Sequence, residues 1–321
     1  MGGPRMTILL ADMGGTTTRL ALLRGDGELQ CTVGWSNDKY DGPGPLLLRY
    51  LRQCGDPALR GACIAIAGPV GPAASDELRL SNRDWHMQRN DLIALLRLPG
   101  QGALRVVNDL TALALALPEL TAEQIRPLRP LAPPPQPLGN GQALVANCGT
   151  GFNVGLVKHT AAGPVTWEAE LGHAALSATI VAELGAQAAH FPSIESLFSG
   201  PGLSRLHAAR QGGAEIPAPS LVEAAGTDTA AQQTVTLMAR LMGLLARDLI
   251  AAYLPRDGFY WAGSMARGVL GPPVSTPFPA QFLRATGAGP LREISETLPL
   301  WLITEDAAAL CGLARLARAD Q

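Results

Sequence analysis

The stretch TILLADMGGTTTRLALL, residues 7–23, decides how the rest of the chain is read. An apolar run ends in Asp12, turns through Gly14 and Gly15, passes Thr16, Thr17 and Thr18, and becomes apolar again. Two apolar runs joined by Gly-Gly predict a tight β-hairpin, with the glycines supplying positive φ at little steric cost. A glycine turn followed by hydroxyls also exposes backbone N–H groups in a small concavity suited to phosphate oxygens. Asp12 beside such a concavity helps only if a cation is present. The segment therefore suggests a nucleotide and a divalent metal, or else an ordinary Gly-Gly hairpin.

A second stretch repeats the device. ALVANCGTGFNVGLV, residues 143–157, runs apolar, turns through Gly149, Thr150 and Gly151, and runs apolar again. Two phosphate-type hairpins predict a duplicated fold with the ligand held between halves. Around the first hairpin, strands at Ile8–Ala11, Arg19–Leu23, Ala62–Ala67 and Leu104–Val107 alternate with helices at Leu46–Gln53 and Arg89–Leu96, which predicts an α/β layer fold. The later half is helix-rich, at Ile180–Ala189, Ser220–Ala225 and Ala230–Tyr253, followed by strands at Gly258–Ala262 and Leu298–Ile303. A closing helix at Asp306–Ala319 is expected to return to the first domain. The expected domains are 1–109 with 301–321, and 110–300. The prolines 133–135 and 137 predict an extended surface loop.

Composition narrows the function classes. The 321 residues suffice for two domains, and a net charge of −2 with no Lys/Arg cluster argues against a nucleic-acid partner. Five scattered cysteines without Cys-x-x-Cys suggest reduced thiols in a cytoplasmic protein and argue against structural zinc. The longest apolar stretch, Val235–Leu254, is interrupted by Arg240, Arg247 and Asp248, so a buried helix is expected and no membrane span.

Three further constellations carry polar groups. Asn108-Asp109 falls where a strand passes into an Ala/Leu-rich helix, the place where ligands gather in α/β folds. There Asp109 is either a carboxylate kept ionised by the helix N-terminus or simply an N-cap. Glu170-x-x-His173 stands in a small, apolar segment and suits hydroxyl recognition better than metal binding. Glu195 precedes a Ser-Gly-Pro-Gly turn and by itself reads as a surface carboxylate.

The ordered pieces LLADMGGTTTRLAL, CIAIAGPV, LSNRDW, VVNDLTAL, the GTG hairpin, ELGH, LFSGPGL and FYWAGSM resemble the bacterial glucokinase family. This is the hexokinase-related group outside the zinc-containing sugar kinases, whose Cys-x-Cys-Gly-x-x-Gly-Cys run is absent here. The resemblance implies a two-domain duplicated ribonuclease-H-like, actin-like ATPase fold with an interdomain cleft. It implies ATP-dependent phosphorylation of glucose with Mg²⁺, Asp109 acting as base on the sugar 6-hydroxyl. Asn108, Glu170, His173 and Glu195, with Asn82 nearby, would bind sugar hydroxyls. Asp12, Gly14, Gly15, Thr16 and Thr17 would form the first phosphate loop, with Asp12 reaching the metal. Gly149, Thr150 and Gly151 would form the second, and Gly263 would lie against adenosine. A homodimer would follow the family.

Three positions depart from the family pattern: Asn153 and Leu171 stand where glycines are usual, and the Gly-Gly at the adenosine side reads Gly263-Ser264. Each adds a side chain where backbone and ligand approach. A kinase for another hexose or an amino sugar uses the same hydroxyl-reading residues. A catalytically silent sugar sensor would share the fold, although retained Asp109 and the short lead before the first strand speak against it.

Overall fold

The computed structural model describes residues 7–319 apart from 69, 72–76, 82, 131–138, 272–276 and 286–288. The loop expected at prolines 133–135 and 137, and Asn82, lie outside the described residues. The chain divides into two compact units, Met1–Leu120 with Ala307–Gln321, and Thr121–Asp306.

In the first unit, strands β1 (Thr7–Met13), β2 (Thr17–Arg24), β3 (Leu29–Ser36) and β4 (Gly61–Ile66) precede a small hairpin of β5 (Glu77–Arg79) and β6 (His86–Gln88), then β7 (Leu104–Asn108). Helices α1 (Pro43–Gln53), α2 (Arg89–Leu95) and α3 (Asp109–Ala116) connect and cover them. The sheet runs β3-β2-β1-β4-β7. Strands β1 and β2 are antiparallel, whereas β1, β4 and β7 are mutually parallel. Every residue of β4 is buried, as in β1 save Ile8. That is why these strands read as unbroken apolar runs rather than alternating ones.

The second unit repeats the plan. Its strands are β8 (Ile125–Pro127), β9 (Gln142–Cys148), β10 (Phe152–Thr160), β11 (Gly163–Trp167), β12 (Gly258–Ala262) and β13 (Leu300–Ile303). The order β11-β10-β9-β12-β13 has the same sense at each pairing as β3-β2-β1-β4-β7, with β8 added antiparallel at the edge. The duplication inferred from two short hairpins thus extends to all five strands of the first sheet and five of the six in the second. Helix Thr229–Tyr253 runs through the second core, with Val235, Met238, Leu241, Met242 and Leu245 buried along it.

Helix Ala308–Arg318 belongs to the first unit and packs along α3. The two approach so closely that a Cβ at Gly312 would lie 1.8 Å from the Ala112 carbonyl oxygen. Ala112 and Ala116, four residues apart on one side of α3, keep the facing surface thin. The unit boundaries lie 11 and 6 residues beyond the expected ones, because α3 packs within the first unit and β13 completes the second sheet.

One expectation is overturned. Neither Gly14 nor Gly15 has positive φ, and neither do Gly149 and Gly151. The loops are wider than a two-residue turn: Met13 pairs with Thr18 across four residues, and Cys148 with Phe152 across three. They close through Gly14 N–H to the Thr17 carbonyl at 3.0 Å and Gly149 N–H to the Gly151 carbonyl at 2.9 Å. The helix expected over Ile180–Ala189 also stops early. It spans Ala178–Leu184, and Gly185 at φ +57° turns the chain into a 3₁₀ segment.

Candidate active site

In the first unit, the candidate residues gather at the carboxyl ends of the parallel strands. Asp12 pairs with Ala65 of β4, and Ala65 with Val107 of β7, so Asp12 stands level with the residue preceding Asn108. Two strand spacings separate them, roughly 10 Å. Asp12 is 6% exposed. Burial pushes its carboxyl above the ordinary carboxylate range, and the Arg19 guanidinium, 3.3 Å away, pulls it part of the way back.

The loop Gly14–Thr17 is held from beneath by a residue that the sequence did not point to. Asn37, fully buried, donates its amide to the Gly14 carbonyl at 2.8 Å and the Gly15 carbonyl at 3.2 Å. Its side-chain oxygen accepts from the Thr18 hydroxyl, and its backbone N–H donates to the Thr16 carbonyl. All these loop carbonyls are thus drawn to one side. Asn37 follows β3 in an unremarkable polar stretch and has no motif of its own.

The two readings of Asp109 are separated by its neighbour. Asn108 is the N-cap of α3: its side-chain oxygen accepts from Leu110 N–H at 2.9 Å, and its amide donates to the Gly68 carbonyl at 2.9 Å. Asp109 is therefore the first helical residue, half-buried, and its carboxylate also accepts from Leu110 N–H. The positive end of α3 favours its ionised form.

In the second unit, Phe152 at the start of β10 is the meeting point. Its N–H donates to Glu195 Oε2 at 2.9 Å, so Glu195 is half-buried and anchored rather than a free surface carboxylate. Gly172 packs against the carbonyl of the same residue, where a Cβ would stand 2.3 Å from the Phe152 carbonyl oxygen and 3.2 Å from Glu195 Cβ. Glu170 and His173 flank Gly172, both exposed, and His173 N–H donates to the Glu170 carbonyl at 3.2 Å. The glycine turn 149–151 immediately precedes Phe152, which puts the hydroxyl-reading candidates and the candidate second phosphate loop side by side.

That turn also opens onto a cavity of about 830 Å³. Gly149 and Thr150 line one side, with Gly200 and Pro201 at the head of helix Gly200–Gln211 and Ser264 at the head of helix Ser264–Leu270. Gly149 is fixed to this helix head by Gly200 N–H, 2.8 Å from its carbonyl. Ile216, Pro217, Val222 and Met265 give the remaining wall an apolar character suited to a nucleobase. Gly263, at φ +93°, leaves 2.2 Å between a would-be Cβ and the Cys148 carbonyl, so only glycine fits. Ser264 is exposed.

The sequence pattern described as Glucokinase matches residues 9–320. The chain belongs to the glucokinase family. It is 32% identical over 319 residues to a Chromobacterium violaceum glucokinase, covering 95% of this chain and 88% of that protein. A crystal structure of a glucokinase from an Antarctic psychrotroph superimposes with a TM-score of 0.77 at 25% identity, covering 97% of this chain and 99% of that one. The Balamuthia mandrillaris glucokinase, crystallised in complex with glucose, gives 0.76 at 20% identity, with 98% and 94% covered. The two repeated sheets of this glucokinase-family chain are those of the duplicated actin-like ATPase fold.

Among the described residues, no group of three or more His, Cys, Asp or Glu side chains could hold a metal ion. The donor set still fits Mg²⁺, which needs only one or two protein carboxylates when phosphate oxygens and water complete its shell. Asp12, next to the first loop, would supply that carboxylate. No helix among the described residues is long and apolar enough to cross a membrane.

Proposed function

We propose that this chain, an ATP-dependent sugar kinase of the glucokinase family, transfers the γ-phosphoryl group of ATP to the 6-hydroxyl of glucose, with Asp109 as general base. The observation that carries the reading is the division of roles at the end of β7. Asn108 supplies the helix cap, and Asp109 presents its carboxylate at the positive end of α3. The hydroxyl proton passes to that carboxylate as the new O–P bond forms. Because the transition state is loose, the proton leaves late, and a weak base is sufficient.

Asn108, Glu170, His173 and Glu195, with Asn82, read the sugar hydroxyls. Donors and acceptors in such a set discriminate against analogues lacking a hydroxyl. The amides of the loops at 14–17 and 149–151 hold the phosphates, and the cavity beside Gly263 and Ser264 takes the nucleoside. Asp12, with the phosphates, would hold Mg²⁺, which would supply neutralisation of charge on the transferred group. A cytoplasmic homodimer, the family's arrangement, is part of the same proposal.

The test is Asp109→Asn in a coupled assay over a panel of hexoses. Glucose binding should persist while turnover falls about 10²–10⁴-fold. A rate near that of the unaltered protein rejects Asp109 as base. One observation favours a second reading, a kinase for another hexose or an amino sugar: two of the departures from the family pattern, Asn153 and Leu171, lie directly against Glu170. Turnover confined to a sugar other than glucose would establish it.

A further inference from the structure

The departures at Asn153 and Leu171 form one device. Asn153 Nδ2 donates to the Ala169 carbonyl and, at 3.2 Å, to Glu170 Oε2. Its Oδ1 accepts from Leu171 N–H at 3.1 Å and from its own neighbour Val154 N–H at 2.8 Å. Two donors face two acceptors and one acceptor faces two donors, so the orientation of the amide is unambiguous. Leu171 has no positive φ, and its side chain packs against the core of the second unit. The turn that carries Glu170 is therefore fastened twice, by an apolar anchor and by an amide bracket from β10.

We propose that Asn153 is a positioning residue that presets the Glu170 carboxylate for a sugar hydroxyl, and so determines sugar affinity and selectivity in this chain. The inference rests on Glu170 being a sugar ligand. Glu170 is exposed and has the like-charged Glu168 beside it, whose carboxyl is pushed up by burial first and by Glu170 second. Without a bracket, such a side chain would sample many rotamers and lose that freedom on binding sugar. Holding it beforehand removes that cost from the binding step. Asn153 gives what a glycine cannot: a donor aimed at the carboxylate and an acceptor for the backbone beyond it.

The test compares Asn153→Ala and Asn153→Asp with the unaltered protein, measuring glucose binding by calorimetry without nucleotide, then steady-state kinetics. Asn153→Asp retains the oxygen that accepts from Leu171 and Val154 but replaces the donor to Glu170 with a like charge. Asn153→Ala should raise the glucose Kd and KM about tenfold. Asn153→Asp should raise them further, with the ATP KM within twofold and melting temperatures little changed. Mannose and glucosamine should show a different penalty from glucose.

A purely structural role, exerted through the Ala169 carbonyl that Nδ2 also holds, predicts a fall in melting temperature in both variants that tracks the loss of affinity. Such a fall, or unchanged glucose affinity in both variants, overturns the proposal. If the unaltered protein binds no sugar on the panel, the sugar-kinase reading itself falls, and the inference with it. If it binds glucose but Glu170→Gln leaves affinity unchanged, only the assignment of Glu170 falls, and the inference with it.

Discussion

Replacing Gly312 by alanine should set helix propensity against packing, with packing prevailing. In an exposed helix interior, glycine to alanine stabilises by roughly 0.5–1 kcal/mol. Here the new methyl would stand 1.8 Å from the Ala112 carbonyl oxygen, 2.8 Å from its carbon and 2.9 Å from the Ala116 nitrogen. All three are backbone atoms, so no rotamer change relieves the overlap. Ordinary contact begins near 3.4 Å, which leaves the helices about 1.6 Å too close. Overpacking of this kind costs about 1–3 kcal/mol, and backbone obstruction on three atoms puts it at the upper end. The net loss is about 2 kcal/mol, a fall of roughly 4–8 °C in the melting transition of the first unit. Calorimetry should resolve that transition from the second unit's, since two units need not melt together.

Activity follows the same displacement. Asp109 begins α3, one turn before Ala112, and a misplacement of about 1 Å at a reacting group costs on the order of 10²-fold in rate. Turnover should therefore fall far more than glucose affinity. A Gly312→Ala protein that melts at or above the original temperature, with unchanged turnover, refutes the packing argument.

Asp12→Asn should abolish most turnover yet raise stability at neutral pH. Burial holds the folded carboxyl above the ordinary carboxylate value of 3.8, so the folded state binds its proton more tightly than the unfolded one. Its ionisation therefore destabilises the fold increasingly as pH rises from about 3.8 through the folded value. The stability gap between variant and original should vanish near pH 3 and widen towards pH 7. A gap that is constant with pH, or of opposite sign, contradicts this. Gly263→Ala should destabilise by about 3 kcal/mol through overlap and positive φ, and should raise the ATP KM more than the glucose KM. Equal ATP KM values would remove Gly263 from the nucleotide site.

The sequence revealed most about features made by consecutive residues. Buried parallel strands such as β1, β4 and β12 announce themselves as apolar runs, and the repeated glycine turns disclosed the duplication before any pairing was known. Gly263 was reached only through the family resemblance, and the structure supplies the reason for glycine there, φ +93° against the Cys148 carbonyl. The brackets were not legible. Asn37 holds carbonyls 22 and 23 positions away, and Glu195 reaches a peptide 43 positions away. A polar side chain whose partner is so distant leaves no periodic or local trace. The Asn108-Asp109 pair failed differently: either neighbour can cap a helix, and only the coordinates assign the cap to Asn108. The turn glycines were misjudged in their dihedrals because run lengths alone do not distinguish a two-residue loop from a wider one.

Helix Ala308–Arg318 has a consequence for biosynthesis. The second unit is one uninterrupted segment, complete as soon as residue 306 has left the ribosome. The first unit must wait with an open flank along α3 until residues 308–318 emerge. Translation thus finishes the inserted half before the half that began it, and the alanine-rich side of α3 stays uncovered throughout that interval.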